Sequence, residues 1–284
     1  MLNSKDIFYN RCKTLLKILS SVLVFVTVLP SCHSTGNENK SLEFNPVLNK
    51  VYHFSVAKYS VKSWTYQSIA SKIYDTVFLN FKLRNIHSTD SAVTCKLEWN
   101  RFIWIGKSKV NYIRDSIHAL SSEVVMTNHG KVKYLDGMQD IIADVEKDSN
   151  TSKYLSGVIP DQISNNAIAD MLNQIFSVIP ERAVNGNNTW VTNITLVTNH
   201  PVSISNFNVL KSLDNDTATV EFKSNIFARP SPGADPYIHG SQEGKAYIRY
   251  ATGVPYLYEA RSEAITTTNY YDVKNIQNLI LKME

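Results

Sequence analysis

The side chains that most often carry catalysis are scattered through this chain of 284 residues. The histidines do not fall at the spacing of a His-Glu-x-x-His helix, and no pair of cysteines is spaced like a zinc site. The sequence also has no Gly-x-Ser-x-Gly turn and no phosphate-binding loop. We therefore predict no catalytic residue, no metal ligand, no cofactor and no enzymatic activity.

Acidic residues support the alternative interpretation, a hydrolase. Asp136, Asp140 and Asp144 recur every four residues in a predicted helix, where they would form a ridge of carboxylates. A solvated helix face accounts for this spacing better than a cation site, because three carboxylates one turn apart repel one another and need only water to be tolerated. Dispersed acids such as Glu98 or Asp136 would serve the hydrolase, which needs two carboxyl groups within reach of a polar cleft.

A different chemistry is indicated at Cys32. Four basic residues precede an apolar run over residues 18–29, which is too short to span a bilayer. The run ends in Leu29-Pro30-Ser31-Cys32, which resembles the lipobox of bacterial lipoproteins. That resemblance implies lipidation of the Cys32 thiol and removal of the leader. We predict a signal peptide over residues 1–31 and a lipidated, flexible tether over residues 32–49.

The lipobox implies a bacterial cell-envelope protein whose membrane partner is reached through its lipid. His33, and not Asp, follows the cysteine, which favours the outer membrane and leaves both the periplasmic and the surface-facing orientation open. The formal charge of +4 falls to about +1 without the leader, because the leader carries four basic residues and one acidic residue. So small a charge excludes a nucleic-acid partner. We predict a monomer.

Residues 50–284 have the pattern of one β-rich domain. Val77, Leu79, Phe81, Leu83 and Asn85 alternate with more polar residues, as in a half-buried strand, and residues 73–105 form a predicted hairpin. Cys95 lies on such an alternating run, which indicates a small buried hydrophobe. After residue 186 we predict strands over Trp190–Thr198, Ile204–Leu213, Thr217–Phe227, Gly244–Tyr250 and Tyr256–Thr268, and a loop over Arg229–Gly240.

The apolar period changes to that of helices over about residues 136–178. One helix begins at Met138, and the second runs from about Pro160, with Asp161 or Ser164 as its cap and Pro180 at its end. We expect Ile163, Met171, Ile175 and Phe176 to face residues such as Phe81 and Val220. The predicted fold class is mostly β or α+β, a curved antiparallel sheet or open β-barrel with a central pair of helices.

Tyrosines near the C-terminus are the remaining clue to function. A buried phenol needs a hydrogen-bond partner, so fifteen tyrosines exceed what a core requires. The predicted ligand groove consists of Tyr247, Tyr250, Tyr256, Tyr258, Met171 and Phe176. We predict non-enzymatic binding of an apolar, glycan or protein ligand. A purely structural or assembly role is the other alternative, because the same tyrosines could simply pair across strands.

Several short motifs resemble those of uncharacterised Bacteroidetes-type lipoproteins of unknown function. They are the lipobox, a Gly130-Lys131-Val132 strand, the pattern Phe176, Pro180, Glu181, Val184, Gly186, Trp190, and a late hairpin with Gly244-Lys245-Ala246 and Thr252-Gly253. Asn188-Thr189 stands where the resemblance implies Gly-Asp. Asp-Ser/Thr-apolar triplets, as at Asp90-Ser91-Ala92, resemble the O-glycosylation sites of such bacteria. The resemblance implies a fold and a compartment, and no activity.

Overall fold

The computed structural model describes residues 42–106, 111–114, 120–146, 162–181, 188–197, 201–228, 237–268 and 270–284, with 111–114 and 145–146 described as backbone alone. The chain divides into two units, Met1–Lys40 and Ser41–Glu284, and all described residues belong to the second. The strands are β1 (Val51–Tyr66), β2 (Ile69–Ser88), β3 (Ala92–Gly106), β4 (Asn111–Arg114), β5 (Ser121–Thr127), β6 (Val132–Asp136), β7 (Thr189–Leu196), β8 (Val202–Asp214), β9 (Thr217–Ala228), β10 (Tyr237–Arg249), β11 (Val254–Thr267) and β12 (Asp272–Met283). The helices are α1 (Met138–Glu146) and α2 (Asn165–Phe176).

The strands form one open, curved antiparallel sheet, which confirms the predicted fold class. Its order is β6-β5-β3-β2-β1-β12-β11-β10-β9-β8-β7, and β4 pairs with β3 beside this path. Neighbours in the sheet are neighbours in sequence, except that β3 pairs with β5 past β4, and β12 pairs with β1 at the centre. The first and last strands of the sequence therefore join the two halves of the sheet.

Strand β2 buries the face that its alternating sequence predicted. Val77, Leu79, Phe81, Leu83 and Asn85 are all buried, while the residues between them are partly exposed. The predicted hairpin over residues 73–105 is confirmed by the pairing of β2 with β3. Strand β1 continues to Tyr66, and the chain reverses at Gln67 and Ser68, which have φ values of 46° and 67°.

Strand β12 was not predicted, and its sequence shows why. Both of its faces mix apolar and amide or charged side chains, so the period of two is weak. The strand is recognisable only from its partners, because β1 and β11 flank it on both sides. A second correction concerns the loop predicted over Arg229–Gly240, because Tyr237–Gly240 already pair within β10.

The two helices pack on the inner face of the sheet, which is the face that buries the main core. Ile163, Met171, Ile175 and Phe176 are 0–7% exposed and belong to the same hydrophobic cluster as Phe81 and Val220, as predicted. Ser164 is the N-cap of α2, and its Oγ accepts a hydrogen bond of 3.2 Å from the N–H of Ala167. The helix ends at Phe176, ahead of Pro180.

Helix α2 occupies the seam between the two edge strands of the open sheet. It contacts both β6 and β7. Asn173 Oδ1 accepts a hydrogen bond of 2.8 Å from the N–H of Val132 in β6, and Asp170 Oδ1 accepts one of 2.8 Å from the N–H of Val197, directly after β7. Side chains of the helix thereby accept hydrogen bonds from backbone N–H groups at both margins of the open sheet.

The predicted ridge of three aspartates is wrong. Asp136 is the last residue of β6, and Gly137, with a φ of 95°, separates it from α1. Only Asp140 and Asp144 lie on the helix. A strand end and a helix start are joined here by a backbone conformation that glycine adopts readily, so the four-residue spacing does not continue through the turn.

Candidate functional site

Half of the residues predicted to line a groove are core residues. Tyr258, Met171 and Phe176 are 0%, 7% and 1% exposed. The Tyr258 ring stacks on Phe222 with a centroid distance of 5.5 Å, and its hydroxyl accepts a hydrogen bond of 3.0 Å from Gln242 Nε2. Burial raises the pKa of Tyr258. These side chains fill the interior of the curved sheet. They therefore do not line the ligand groove that the sequence predicted.

The other predicted groove residues are partly exposed. Tyr247 and Tyr256 contact each other with ring centroids 6.1 Å apart, and the guanidinium of Arg249 lies 5.7 Å from the Tyr256 ring centroid. Tyr247 precedes the buried Ile248 on β10 and therefore points to the outer face of the sheet, while Tyr250 packs against the edge of the core. The structure thus divides the predicted groove residues between two faces.

A concave site lies on the outer face of β8 to β12. It has a volume of about 770 Å³, and a second cavity of about 480 Å³ shares Phe207, Lys223, Glu243 and Arg261 with it. We call these two cavities together the outer groove. Gly244 lies beneath it, and a Cβ atom there would stand 2.2 Å from the carbonyl oxygen of Glu259 and 2.5 Å from the Phe222 ring. The close approach of β10 and β11 therefore requires glycine at this position.

Charged side chains form two rows across the outer groove. In one row, Glu243 pairs in register with both Lys223 and Arg261 on the adjacent strands. In the next row, Lys245 pairs in register with both Glu221 and Glu259. The sign of the charge alternates from strand to strand within each row and reverses between the rows. Such an arrangement suits cross-strand attraction and leaves little net charge.

The two rows differ in how their charges are satisfied. Glu221 Oε1 accepts a hydrogen bond of 2.7 Å from Lys245, and Lys211 lies 3.3 Å from Glu221 Oε2. The hydrogen bond from Lys245, with a further contribution from Lys211, lowers the pKa of Glu221. Lys223, Glu243, Glu259 and Arg261 have no side-chain hydrogen bond or ion pair with the described part of the chain. These four side chains are available to a ligand.

A second set of perturbed titratable groups lies on the inner face, beside α2. Lys58 Nζ is 3.4 Å from Gln162 Oε1, near the start of the helix. Burial lowers the pKa of Lys58, and the charge of Lys62 lowers it further, against Asp75 and Asp170. Burial also raises the pKa of Asp170, against the N–H of Val197 and the charge of Lys58. These groups hold the helix against β1 and the end of β7.

The carboxylates proposed for a hydrolase do not converge. Glu98 lies on β3 and forms an ion pair of 2.8 Å with Arg84, whereas Asp136 lies two strands away on β6. The N–H of Gly137 and then the hydroxyl of Tyr134 lower the pKa of Asp136, the direction opposite to that of a general acid. Among the described residues, no three His, Cys, Asp or Glu side chains come together as metal ligands would.

The structure describes Cys95 but not Cys32. Cys95 is 0% exposed, as the alternating pattern predicted, and burial raises the pKa of its thiol to about 12. A thiol that is neutral and covered is not a nucleophile at neutral pH. Cys32, the predicted lipidation site, lies outside the described residues. No helix in the described part of the chain is both long and apolar enough to cross a membrane.

Sequence reasoning missed the outer groove, although a signal for it was present. Charged residues recur at every second position on three consecutive strands: Glu221 and Lys223, Glu243 and Lys245, Glu259 and Arg261. Each pair alone indicates only a solvated strand face. The alternation of sign across strands became visible once the register was known, because register decides which charges are neighbours.

Three solved structures to which this chain is similar have low sequence identity to it. Lipovitellin, described for its lipid-protein interactions, has 10% identity and a TM-score of 0.49; the match covers 84% of this chain and 25% of that one. An outer membrane channel from Pseudomonas putida F1 has 9% identity, coverage of 85% and 98%, and a TM-score of 0.23. The translocator domain of the autotransporter NalP from Neisseria meningitidis has 5% identity, coverage of 85% and 90%, and a TM-score of 0.22.

The chain therefore spans a quarter of the length of the lipovitellin chain that it matches. No curated protein matches the sequence. A family model described as a family of unknown function, DUF6263, matches residues 106–255. This range runs from the end of β3 to the start of β11 and includes helix α2 with both edge strands. Because the match spans more than half of the 284 residues, the chain belongs to the DUF6263 family of unknown function.

Proposed function

We propose that this protein is a non-enzymatic, lipid-anchored binding protein of the bacterial cell envelope that takes a glycan ligand in the outer groove. The observation that carries the proposal is the unpaired row Lys223, Glu243 and Arg261 at the floor of a cavity of about 770 Å³. Ligand sites are typically concave, of this size, and supplied with a few polar groups that fix orientation. The groove meets these three conditions.

The lining disfavours the apolar ligand that the sequence left open, and it also disfavours a strongly charged ligand. An apolar ligand would desolvate charged groups without giving them hydrogen bonds, which is costly. A strongly charged ligand would find no field to attract it, because basic and acidic groups nearly balance. The charged residues lining the main cavity are Lys211, Lys223, Lys245, Arg261, Glu221, Glu243 and Glu259. A neutral, polyhydroxylated ligand can donate to the carboxylates and accept from the basic groups.

Aromatic side chains lie at the margins of the same groove. Phe207 lines both cavities and is 51% exposed, which is unusual for a phenylalanine. Tyr247 and Tyr256 lie beyond the Glu221–Lys245 row on the same face. Rings of this kind offer flat apolar surface to the C–H faces of sugar rings, while the charged floor meets the hydroxyl groups. The concave shape favours a glycan over the flat contact of a protein partner.

The anchor and the compartment belong to the same proposal and are supported by sequence alone. Leu29-Pro30-Ser31-Cys32 closes an apolar leader, and residues 33–41 beyond it are polar. The predicted tether over residues 32–49 is too long, because Leu42 and Phe44 are buried in the core. We propose that Cys32 carries the lipid and that the outer membrane is the site of attachment, as in the Bacteroidetes-type lipoproteins that the motifs resemble. Attachment of two or more acyl chains would be effectively permanent, so the domain itself need not bind lipid strongly to remain at the membrane.

The experiment is calorimetric titration with hexasaccharides of defined linkage, with cellohexaose, maltohexaose and chitohexaose as probes. We expect at least one to bind, and we expect Glu243→Gln and Arg261→Gln each to weaken that binding at least tenfold. The reason is that a hydrogen bond to a charged group contributes about 1.5–3 kcal/mol. Lys282→Gln is the matched control, since Lys282 is exposed on β12 and does not line the groove.

The outcomes separate the parts of the proposal. Binding that Glu243→Gln, Arg261→Gln and Lys282→Gln all leave unchanged would place the glycan elsewhere on the protein. Absence of binding to every hexasaccharide would remove the glycan as ligand. A wild-type protein that hydrolyses any probe during the titration would restore the hydrolase alternative.

A further inference from the structure

Two neighbouring turns at one end of the sheet expose aromatic and aliphatic side chains. Tyr66 and Ile69 flank the β1–β2 turn and are 44% and 67% exposed, while Tyr270 and Tyr271 of the β11–β12 turn are 80% and 37% exposed. We call these four residues the tip patch. Because β1 pairs with β12 as far as Trp64 and Val273, the two turns lie side by side.

Specific contacts hold the tip patch in place. The Tyr66 and Tyr271 rings meet edge to face with centroids 5.8 Å apart, which links the two turns. Thr268 Oγ1 accepts hydrogen bonds from the N–H groups of Tyr270 and Tyr271 and donates one of 2.7 Å to the Tyr271 carbonyl. Tyr270 is therefore exposed on an ordered turn. An aromatic side chain that a fixed turn exposes to solvent is typical of a contact site for another surface.

Basic residues lie directly behind the tip patch. Lys62 and Lys72 are exposed on β1 and β2, and Lys274 on β12 pairs in register with Ser63, as Lys72 does. Glu263 forms an ion pair of 2.6 Å with Lys274, and Asp272 is the acidic residue nearest the β11–β12 turn. Lys62 and Lys72 have no ion pair with the described residues. The charge behind the tip is therefore basic and accessible.

We infer that the tip patch is a contact surface for an anionic lipid bilayer. Tyrosine at the extreme tip with lysine set back from it is the order that a membrane interface favours, with rings at the headgroup level and amines at the phosphates. None of the four tip-patch residues lines the outer groove, so this inference stands independently of the glycan site.

The patch lies at the opposite end of β1 from the segment that leads into the sheet. Residues 42–50 dock at the core end, where the N–H of Asn45 donates a hydrogen bond of 2.8 Å to the Thr252 carbonyl. The sixteen residues of β1 span about 50 Å. The tip patch is therefore remote from the point at which residues 42–50 enter the sheet.

The test is vesicle sedimentation of the unit Ser41–Glu284, which contains the whole described core and lacks the apolar leader. The probes are vesicles of phosphatidylethanolamine with phosphatidylglycerol and, for comparison, vesicles of phosphatidylcholine alone. We expect binding to the anionic vesicles and at least tenfold weaker partitioning of the double variant Ile69→Ser/Tyr270→Ser. Lys62→Gln and Lys72→Gln should each reduce anionic binding by about fivefold and flatten its salt dependence.

Tyr134→Ser is the matched control, because Tyr134 is 53% exposed on β6 and outside the tip patch. It should bind vesicles as the wild type does. Equal melting temperatures of all variants would show that the exposed substitutions leave the fold intact. Failure of the wild type to bind either vesicle, or equal binding by the tip and Tyr134 variants, overturns the inference. Concentration-dependent self-association that Tyr270→Ser abolishes would assign the patch to a second copy instead and also overturns it.

Discussion

Asn173 and Val132 join helix α2 to the edge strand β6 through one hydrogen bond of 2.8 Å between the amide oxygen of the asparagine and the backbone N–H of the valine. On the other side of the helix, Asp170 accepts a hydrogen bond from Val197, just after the edge strand β7. Polar side chains of helix α2 thus accept hydrogen bonds at both margins of the sheet. This arrangement protects edges that would otherwise pair with another chain.

Removing the amide of Asn173 should weaken the seam. Asn173→Ala leaves the partly buried Val132 N–H without its partner, so we expect a loss of about 1–3 kcal/mol in the free energy of unfolding. Urea denaturation measures the loss, and amide hydrogen exchange should accelerate at Val132 first. Asn166→Ala, at an exposed position of the same helix, is the control. Equal stability of both variants would show that the hydrogen bond does not hold the seam.

Met171→Ala tests whether the helix fills the interior of the sheet. Met171 is 7% exposed and packs within the main cluster, so truncation should cost about 2–5 kcal/mol through lost burial and the cavity left behind. Thermal or urea unfolding checks this value, with Gln139→Ala on the exposed side of α1 as the control. A variant as stable as the control would contradict the filled core.

Cys32→Ala tests the proposed anchor. Without the thiol, the leader should remain unprocessed or the protein should leave the membrane fraction, whereas the wild type partitions into detergent. Mass spectrometry of the N-terminal peptide and fractionation of the cells report both outcomes. Cys12→Ala removes a cysteine from the leader itself and should change neither. Lipid-modified, membrane-bound Cys32→Ala protein would refute the assignment.

The buried thiol of Cys95 predicts a loss of stability in alkali. The folded chain keeps the thiol protonated up to a pKa of about 12, while the unfolded chain releases the proton near its usual value of 9.0. A raised pKa of this kind favours unfolding as pH rises between these values, by about 1.4 kcal/mol per pH unit. Relative to Cys95→Ala, the wild type should therefore lose about 2 kcal/mol between pH 8 and pH 10.5.

Comparing the two proteins at each pH removes the contributions of Lys58 and Tyr258, which titrate in both. Unfolding in urea at the two pH values gives the measurement. A difference between wild type and variant that stays constant from pH 8 to pH 10.5 would contradict the pKa of Cys95. Modification of the thiol in the native protein at pH 8 would contradict its burial.

The sequence alone determined which face of most strands is buried and where the helices lie. The period of two along β2 follows from the geometry of a single strand, so the burial of Val77 to Asn85 needed no partner to be predicted. Ser164 capped its helix because its side chain lies within reach of a backbone N–H three residues on. These are local relations, and local sequence carries them.

The tertiary structure decided what depends on residues that are distant in sequence. The place of β12 between β1 and β11, the seam formed by Asn173 and Val132, and the division of the tyrosines between two faces all follow from strand register and curvature. A strand pattern gives the faces of a strand but not its neighbours. The charged rows of the outer groove exist only because register sets Glu243 between Lys223 and Arg261, more than fifteen residues away on either side.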